Sequence, residues 1–407
     1  MGAVNLHSLP LPPKERTGWP WTGESSPFPL KNLPCPSITI VTPSYNQGKF
    51  LEQTIRSVLL QNYPNLQYII IDGGSLDNSV EIIKKYEKYL DYWISSPDKG
   101  QSDAINKGFS KSTGEIMAWL NSDDYYAPGT LNVVANELNK NNGIFAMVGN
   151  CEIVFTDTTE TKLSKGYFHS LSRLLEFWNG YTMPQSSIFW RKEVFDKVGF
   201  LNEDYHYTMD FDYWVRMAIH FDFKNIDKVL SYATYHSEAK TGDNYVTYHK
   251  ELRENAEHYW KTVTGIDTSI LQASLKHYDE FRSKVEEAIE VIRSIIPTGS
   301  SFILVDEDQW ETNDFVSGRK RFHFISKKGA YNGVPENEIS AIDELEKLKT
   351  AGAGFIVFTW STFWWLEYYP ALHQYLRTNF PCILENERLI IFDLQQKLEE
   401  PKQGTHI

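Results

Sequence analysis

The sequence predicts an α/β protein of two domains: a mostly parallel central sheet flanked by helices, then a smaller C-terminal α/β unit. Three observations carry this. From Ser37 to about Gly114, runs with strand chemistry alternate with runs of helically spaced apolar residues, which in a compact domain implies a parallel sheet. The apolar run Met117-Ala118-Trp119-Leu120 stops at Asn121-Ser122-Asp123-Asp124. A buried strand ending in carboxylates at the carboxyl edge of such a sheet is where oxygen ligands for a hard cation sit. The alternation of strand and helix then restarts at Ser301. A chain of 407 residues has room for both domains.

Composition narrows the class. Apolar residues make up 41% and charged residues 23%, the balance of a globular protein. A formal net charge of −13 argues against nucleic acid as a partner, because phosphate backbones need clustered Lys and Arg. Cys35, Cys151 and Cys382 are far apart and lack metal-type spacing, so free thiols in a reducing compartment are expected. No apolar signal core opens the chain, and no uncharged apolar run of about 18 residues occurs. The expected location is therefore cytoplasmic.

Residues 1–36, rich in Pro, Gly and Ser and marked by Trp19, Trp21 and Phe28, predict an extended arm lying on the first domain; a disordered tail is the alternative. The β-rich run Ser37 to Thr42 is closed by Pro43. A helix follows over 49–60, then a strand over 66–71 ending at Asp72-Gly73-Gly74-Ser75, a helix from 78 to about 89 and a short strand over 92–95. Thr42-Pro43 and Asp72 should open on one sheet edge, where the Asp72 carboxylate can accept hydrogen bonds from a base or ribose. The glycines after it allow close approach of a ligand. The loop Pro97 to Asp103 feeds a helix N-terminus, a natural anion site, to which Lys99 or Lys107 could add charge for a diphosphate.

Four segments now stand in order: Thr42-Pro43-Ser44-Tyr45-Asn46-Gln47, Ile71-Asp72-Gly73-Gly74-Ser75-Leu76-Asp77, Pro97-Asp98-Lys99-Gly100-Gln101-Ser102-Asp103-Ala104-Ile105-Asn106-Lys107-Gly108 and Leu120-Asn121-Ser122-Asp123-Asp124-Tyr125. Together they resemble the nucleotide-binding half of the family 2 glycosyltransferases of GT-A fold, over roughly residues 36–265. The resemblance implies that Thr42, Pro43, Tyr45 and Asp72 hold the nucleoside of a UDP-, TDP- or GDP-sugar. Asp98 and Lys99 would lie along the same pocket. Asn121-Ser122-Asp123 occupies the Asp-x-Asp position. Asp123 would be the ligand of a divalent metal, Mn²⁺ or Mg²⁺, with Asp124 in support, since Asn121 departs from the pattern and an amide is the poorer metal ligand.

Further along, Gln185 and Trp190 could line an acceptor pocket; for Trp190 a core position is the alternative. Asp210, ahead of the helical spacing of Trp214, Val215, Ala218 and Ile219, matches the base position of the family by resemblance, with helix capping as the structural alternative. Inverting transfer needs one base to take the acceptor proton. His236 would complete the metal site in similar enzymes, and Lys240-Thr241-Gly242 resembles a loop closing over the donor phosphates.

The expected domains are an arm (1–36), the GT-A domain (37–265), a helical connector (266–300) and an accessory α/β domain (301–400). In the last, Asp306, Glu307, Trp310 and the Trp364-Trp365-Glu367 cluster permit carbohydrate binding, packing or dimerisation. Arg319-Lys320-Arg321 is expected to be a solvated face. The expected function is a metal-dependent, inverting glycosyltransferase acting on a hydroxyl of a glycan or lipid-linked glycan in surface polysaccharide assembly. Membrane contact would be peripheral, through a lipid-linked acceptor at the inner face of the plasma membrane, and a homodimer is left open. A non-catalytic glycan-binding protein on the same scaffold is the alternative. A sugar nucleotidyltransferase would need a glycine-rich N-terminal loop, which the sequence lacks.

Overall fold

The computed structural model describes residues 4–28, 35–140, 143–156, 161–176, 183–236, 240, 245–263, 265, 267–307, 309–310, 316, 318–324, 326–327, 330–331, 334–396 and 398. The chain divides into two compact units, residues 1–271 and 272–407.

In the first unit β1 (Ile38–Ser44), α1 (Gly48–Leu59), β2 (Leu66–Asp72), α2 (Ser79–Tyr86), β3 (Tyr92–Ser95), α3 (Gln101–Phe109) and β4 (Ile116–Trp119) follow in order. Every residue of β1 and β4 is buried, as in a parallel sheet covered on both faces. β5 (Tyr125–Tyr126), α4 (Thr130–Asn139), β6 (Ala146–Phe155), β7 (Thr161–Ser164), α5 (Leu171–Leu174), β8 (Ile188–Arg191), α6 (Phe195–Val198), α7 (Met209–His220), β9 (Phe223–Tyr235) and α8 (Tyr245–Thr262) complete it.

The strand order is β3-β2-β1-β4-β8-β6-β9-β5, with β7 on β6. The β3–β2–β1–β4 half is parallel, as expected from strand–helix alternation. The whole sheet is mixed, but its two longest pairings, β1–β2 and β6–β9, are parallel, in keeping with the mostly parallel sheet expected. β8 runs antiparallel to β4 and β6, and β5 and β7 are antiparallel to β9 and β6, so that β6–β9 is the one further parallel pair. β6 and β7 form a hairpin, which imposes their antiparallel pairing. Glu152–Phe155, expected as a separate strand, continues β6. The turn expected over 156–161 and the helical position of Phe177 lie partly or wholly outside the described residues.

Register sets the site. Ser44 pairs with Asp72 and Asp72 with Ser95, so three strands end level, and Val41 pairs with Trp119, the last residue of β4. α3 presses close to β1 because Gly108 lacks a side chain: a Cβ there would meet the two methyls of Val41 at 2.3 and 2.9 Å. Gly108→Ala is expected to destabilise this unit by about 1–3 kcal/mol, the usual cost of overpacking, read as a lower urea midpoint at unchanged slope.

The segment 5–28 is docked on the first unit. Arg56, the one charged residue among the buried positions of α1, is fully buried. Its guanidinium donates to the carbonyls of Pro10 (2.9 Å), Pro20 (3.1 Å) and Trp21 (2.9 Å) and to the Tyr86 hydroxyl (3.0 Å). The Trp19 indole donates to the Tyr126 carbonyl at 2.7 Å, and Phe28 packs edge-on against Tyr63.

The second unit takes the C-terminal part of α9 (Thr268–Ile295), then β10 (Ser301–Val305), β11 (Lys320–His323), β12 (Ser326–Lys327), β13 (Ala330–Tyr331), α10 (Glu338–Thr350), β14 (Phe355–Thr359), α11 (Trp364–Tyr368), α12 (Pro370–Asn379), β15 (Cys382–Glu385) and β16 (Leu389–Asp393). The sheet order is β11-β10-β14-β16-β15, parallel up to β14 and antiparallel beyond. Within the region expected as a connector, Val285, Ala288, Ile289, Ile292 and Ile296 belong to this unit's core. α11 and α12 are separate helices, because Pro370 cannot continue α11 and opens α12. Of Arg319-Lys320-Arg321, expected on a solvated face, Lys320 is exposed and Arg319 is half-buried, its guanidinium donating to the carbonyls of Ile296 (2.6 Å) and Arg293 (2.8 Å). Trp310 and Trp365 are buried, and the Trp365 indole donates to Glu307 at 2.7 Å. Among the described residues no helix is long and apolar enough to cross a membrane.

Candidate active site

The acidic loop after β4 is held from three sides. The Thr54 hydroxyl on α1 bonds the carbonyls of Ser122 (2.8 Å) and Asp124 (2.7 Å). The Gln101 amide, at the start of α3, donates to Asn121 Oδ1 at 2.8 Å. The Thr234 amide near the end of β9 donates to Asp124 Oδ1 at 3.1 Å. β9 therefore brings its next residues onto this loop, and His236 Nε2 lies 3.2 Å from Asp123 Oδ2. His236 is buried against the Phe50 ring, with centroids 4.5 Å apart, and its Nδ1 has no hydrogen-bond partner.

Asp123 and His236, expected to share a metal, thus meet. Asp124 differs: it is buried and gives an oxygen to the Thr234 amide. Burial, then the neighbouring Asp123 charge, raises its carboxyl well above the usual range. Among the described residues no cluster of three or more His, Cys, Asp or Glu side chains stands ready for a metal.

The nucleoside side is a pair of stitched loops. Ser44 O accepts from Gly73 N at 2.8 Å, Ser75 Oγ from Asn46 N at 2.8 Å, and Asp77 Oδ2 from Gly48 N at 2.8 Å. Asp72, expected to face a base or ribose, is fully buried and already takes four protein donors: Gly74 N, Ser75 N, Ser75 Oγ and Ser95 Oγ. It fixes the loop. The Thr42 hydroxyl lies 3.1 Å from the Tyr68 hydroxyl, beneath Pro43 at the strand end. Tyr45 is 61% exposed and presents a ring at that edge. Asp98 accepts from Gly100 N at 2.9 Å and sits where a Cβ on Gly73 would fall 2.8 Å from its Oδ2. Burial, with Asp103 and Asp72 adding to it, raises the Asp98 carboxyl against the Gly100 bond and Lys107. The two lysines expected near a diphosphate are paired elsewhere: Lys107 with Asp103 at 2.8 Å, and the mostly exposed Lys99 with Glu203 at 3.9 Å.

Asp210 lies in the first turn of α7. Burial raises its carboxyl above the usual range, against the Phe211 amide bond and the charge of Lys240. The Lys240 ammonium bonds Gln101 Oε1 at 3.1 Å and the His206 carbonyl. A chain of hydrogen bonds thus runs from Asn121 through Gln101 and Lys240 to the turn before α7. Thr241 and Gly242 of the expected closing loop lie outside the described residues. Trp190 is a core residue packed among Trp119, Trp214 and Phe109, whereas the half-buried Gln185 donates to the Trp119 carbonyl at 2.8 Å. Sequence reasoning gave no role to Gln101, Thr54 or Glu251. Gln101 had a signal, its place at a helix N-terminus inside a motif; the other two sit mid-helix, and only tertiary packing identifies them.

Residues 39–199 match the family described as "Glycosyl transferase family 2". An uncharacterized glycosyltransferase of Rickettsia felis is 27% identical over 54% of this chain and 37% of its own length. One of Nostoc sp. is 28% identical over 40% of this chain and 52% of its own length. The chain thus spans about half the length of these relatives or less. Among solved structures, S. aureus TarS 1-349 in complex with UDP-GlcNAc aligns at 16% identity with a TM-score of 0.46, covering 60% of this chain and 71% of that one. In the first unit of this chain, residues 39–199 are thus similar to glycosyl transferase family 2.

Proposed function

We propose that this chain is a metal-dependent, inverting glycosyltransferase that moves a sugar from a nucleotide donor to a hydroxyl of a glycan or lipid-linked glycan. The observation that carries it is the Asp123–His236 pair. A carboxylate oxygen and an imidazole nitrogen 3.2 Å apart match the edge of about 3 Å between neighbouring ligands of a six-coordinate Mg²⁺- or Mn²⁺-sized ion. His236 Nδ1 is a buried ring nitrogen with no partner whichever nitrogen carries the proton, so the fit rests on the carboxylate–imidazole pair itself, oxygen and nitrogen donors that suit such an ion. Asp123 Oδ2 and His236 Nε2 would hold it. Bound there, the ion would offset the negative charge of the departing nucleoside diphosphate.

The chain's own residues do the rest. Asn121 and Gln101 form a fixed amide pair at the donor side, and the exposed Tyr45 ring offers a stacking face to the base. Asp210, ionised, takes the proton of the acceptor hydroxyl as that oxygen forms its bond to the anomeric carbon and the carbon–phosphate oxygen bond breaks. Configuration inverts because one base and one displacement suffice.

Calorimetric titration with UDP, GDP and TDP, with Mn²⁺ and with chelator, tests this. One nucleotide is expected to bind in a metal-dependent manner, and Asp123→Ala is expected to weaken it at least about tenfold, the scale of one lost charge-assisted contact. Folded protein that binds none of the three would leave the alternative, glycan binding on a transferase scaffold.

A further inference from the structure

A second carboxylate stands behind the base, on a helix that the sequence expectations left without a role. Glu251, in the second turn of α8, receives four donors from one short stretch. Its Oε1 accepts from Tyr207 N (2.7 Å), Thr208 N (2.7 Å) and Thr208 Oγ1 (2.9 Å), and its Oε2 from His206 N (3.1 Å). Thr208 is the N-cap of α7, yet its own side chain makes no capping bond. The three amides leading into the helix, the N-cap included, are instead satisfied by a carboxylate from another helix, at the positive end of the α7 dipole.

The attachment continues along α8 at four-residue steps. The Asn255 amide reaches Thr208 Oγ1 at 3.3 Å, and the Tyr259 hydroxyl donates to Asp212 Oδ1 at 2.6 Å. Asp212 Oδ2 in turn pairs with Arg216 at 2.7 Å on α7. One face of α8 thus forms a polar seam against the first turn of α7. At Glu251 burial would raise the carboxyl, but the bonds from Thr208, Tyr207 and His206 together hold it below its usual range.

We infer that Glu251 is the positioning residue of the proposed base: by gathering the 206–208 amides it fixes where the first turn of α7, and with it Asp210, faces the acceptor. This rests on the assignment of Asp210 as base. The same turn presents the His206 carbonyl to Lys240, whose ammonium also holds Gln101 and through it Asn121. Glu251 therefore sets the distance between the base side and the donor side of the site. The groups facing Asp210 electrically are Glu251 and Tyr248 on α8 and Lys240 before it, with the Phe211 amide on its own helix. Glu251 raises the Asp210 proton affinity and Lys240 lowers it.

The experiment follows hydrolysis of the nucleotide sugar whose nucleotide binds in the calorimetric panel, with water as acceptor, as a function of pH. Glu251→Gln keeps the shape and one acceptor oxygen but turns its two donor hydrogens toward the His206 amide, itself a donor. It is expected to lower kcat about 10- to 100-fold, the scale of a base misplaced by about 1 Å. Nucleotide affinity should stay within about twofold, since no donor contact is touched. The acid limb of the kcat profile should move to lower pH, because a negative neighbour of Asp210 is gone. Glu251→Asp keeps the charge and shortens the reach, so kcat should fall while the limb stays. A purely structural Glu251 would give a lower unfolding midpoint with wild-type kcat and limb in the folded enzyme, and that result overturns the inference. Asp210→Asn, run in parallel, separates the two claims. If it keeps activity, the base assignment fails and the inference with it. If it abolishes activity while Glu251→Gln does not change kcat or limb, the positioning role alone is overturned. Should Glu251→Gln not fold, Thr208→Ala removes one of the four donors and carries the same test with a smaller drop.

Discussion

Asp210→Asn is expected to lower sugar transfer at neutral pH by about 10²- to 10⁴-fold, the contribution of a well-placed general base, and to leave nucleotide binding unchanged. The substitution preserves size and the hydrogen bond accepted from the Phe211 amide at 2.8 Å, and removes only the ability to accept a proton. The pH dependence follows from the same carboxyl. Burial, its largest influence, raises its proton affinity, and only the ionised form can act. Transfer should therefore be lost below the raised pKa, rise with pH through it and level off above, with the acid limb at higher pH than an ordinary aspartate gives. A kcat–pH profile checks this; wild-type rates in Asp210→Asn, or a limb at the ordinary aspartate value, would sink the assignment.

The second large effect is on stability. Arg56→Met is expected to destabilise the first unit by about 3–5 kcal/mol, because several buried acceptors are left without a donor at about 1–3 kcal/mol each. The stem still fills space in Met, but the carbonyls of Pro10, Pro20 and Trp21 lose their donor, and so does the Tyr86 hydroxyl. These groups are drawn together by one guanidinium, and water cannot replace it in a site with no exposed surface. Denaturant unfolding followed by tryptophan fluorescence measures the loss. A change under about 1 kcal/mol would mean that segment 5–28 is held by its aromatic contacts alone.

The parts of the site that the sequence shows are those built from neighbours in the chain. Asn121, Ser122 and Asp123 stand at a strand end because the apolar run before them must be buried and the acids cannot be. Asp210 was visible for a similar reason, as an acid opening an amphipathic helix. What depends on strands far apart was less visible. His236 reaches Asp123 only because β9 pairs with β6 and β5, and no spacing encodes that. The Asp72 carboxylate looked free in the sequence, but its two oxygens are used by its own loop and by Ser95 of the adjacent strand. Lys99 and Lys107 looked available to a phosphate until the acids Glu203 and Asp103 came into range. Arg56 is the sharpest case. Helical spacing puts it beside Ile55 and Val58, and the usual rule sends a lone arginine to solvent. It is buried because the acceptors come from residues 10–21. In the second unit helical spacing runs through Pro370 as one helix over 366–378 and hides the break the proline makes; the burial of α9 residues 285–296 in that unit's core was not legible either.

The docking of segment 5–28 also has a meaning in time. Its partners lie about a hundred positions later: Trp19 on Tyr126, Ser25 on Gly129 and Ser26 on Asn132. At a synthesis rate of about 5–20 residues per second, the segment waits on the order of 5–20 s before the surface it covers exists. Through that interval Trp19 lacks its Tyr126 partner on a nascent chain. Arg56, translated earlier than those partners, offers the first place where the segment can be caught, so one side chain sets both the final stability of this unit and the length of its vulnerable period during synthesis.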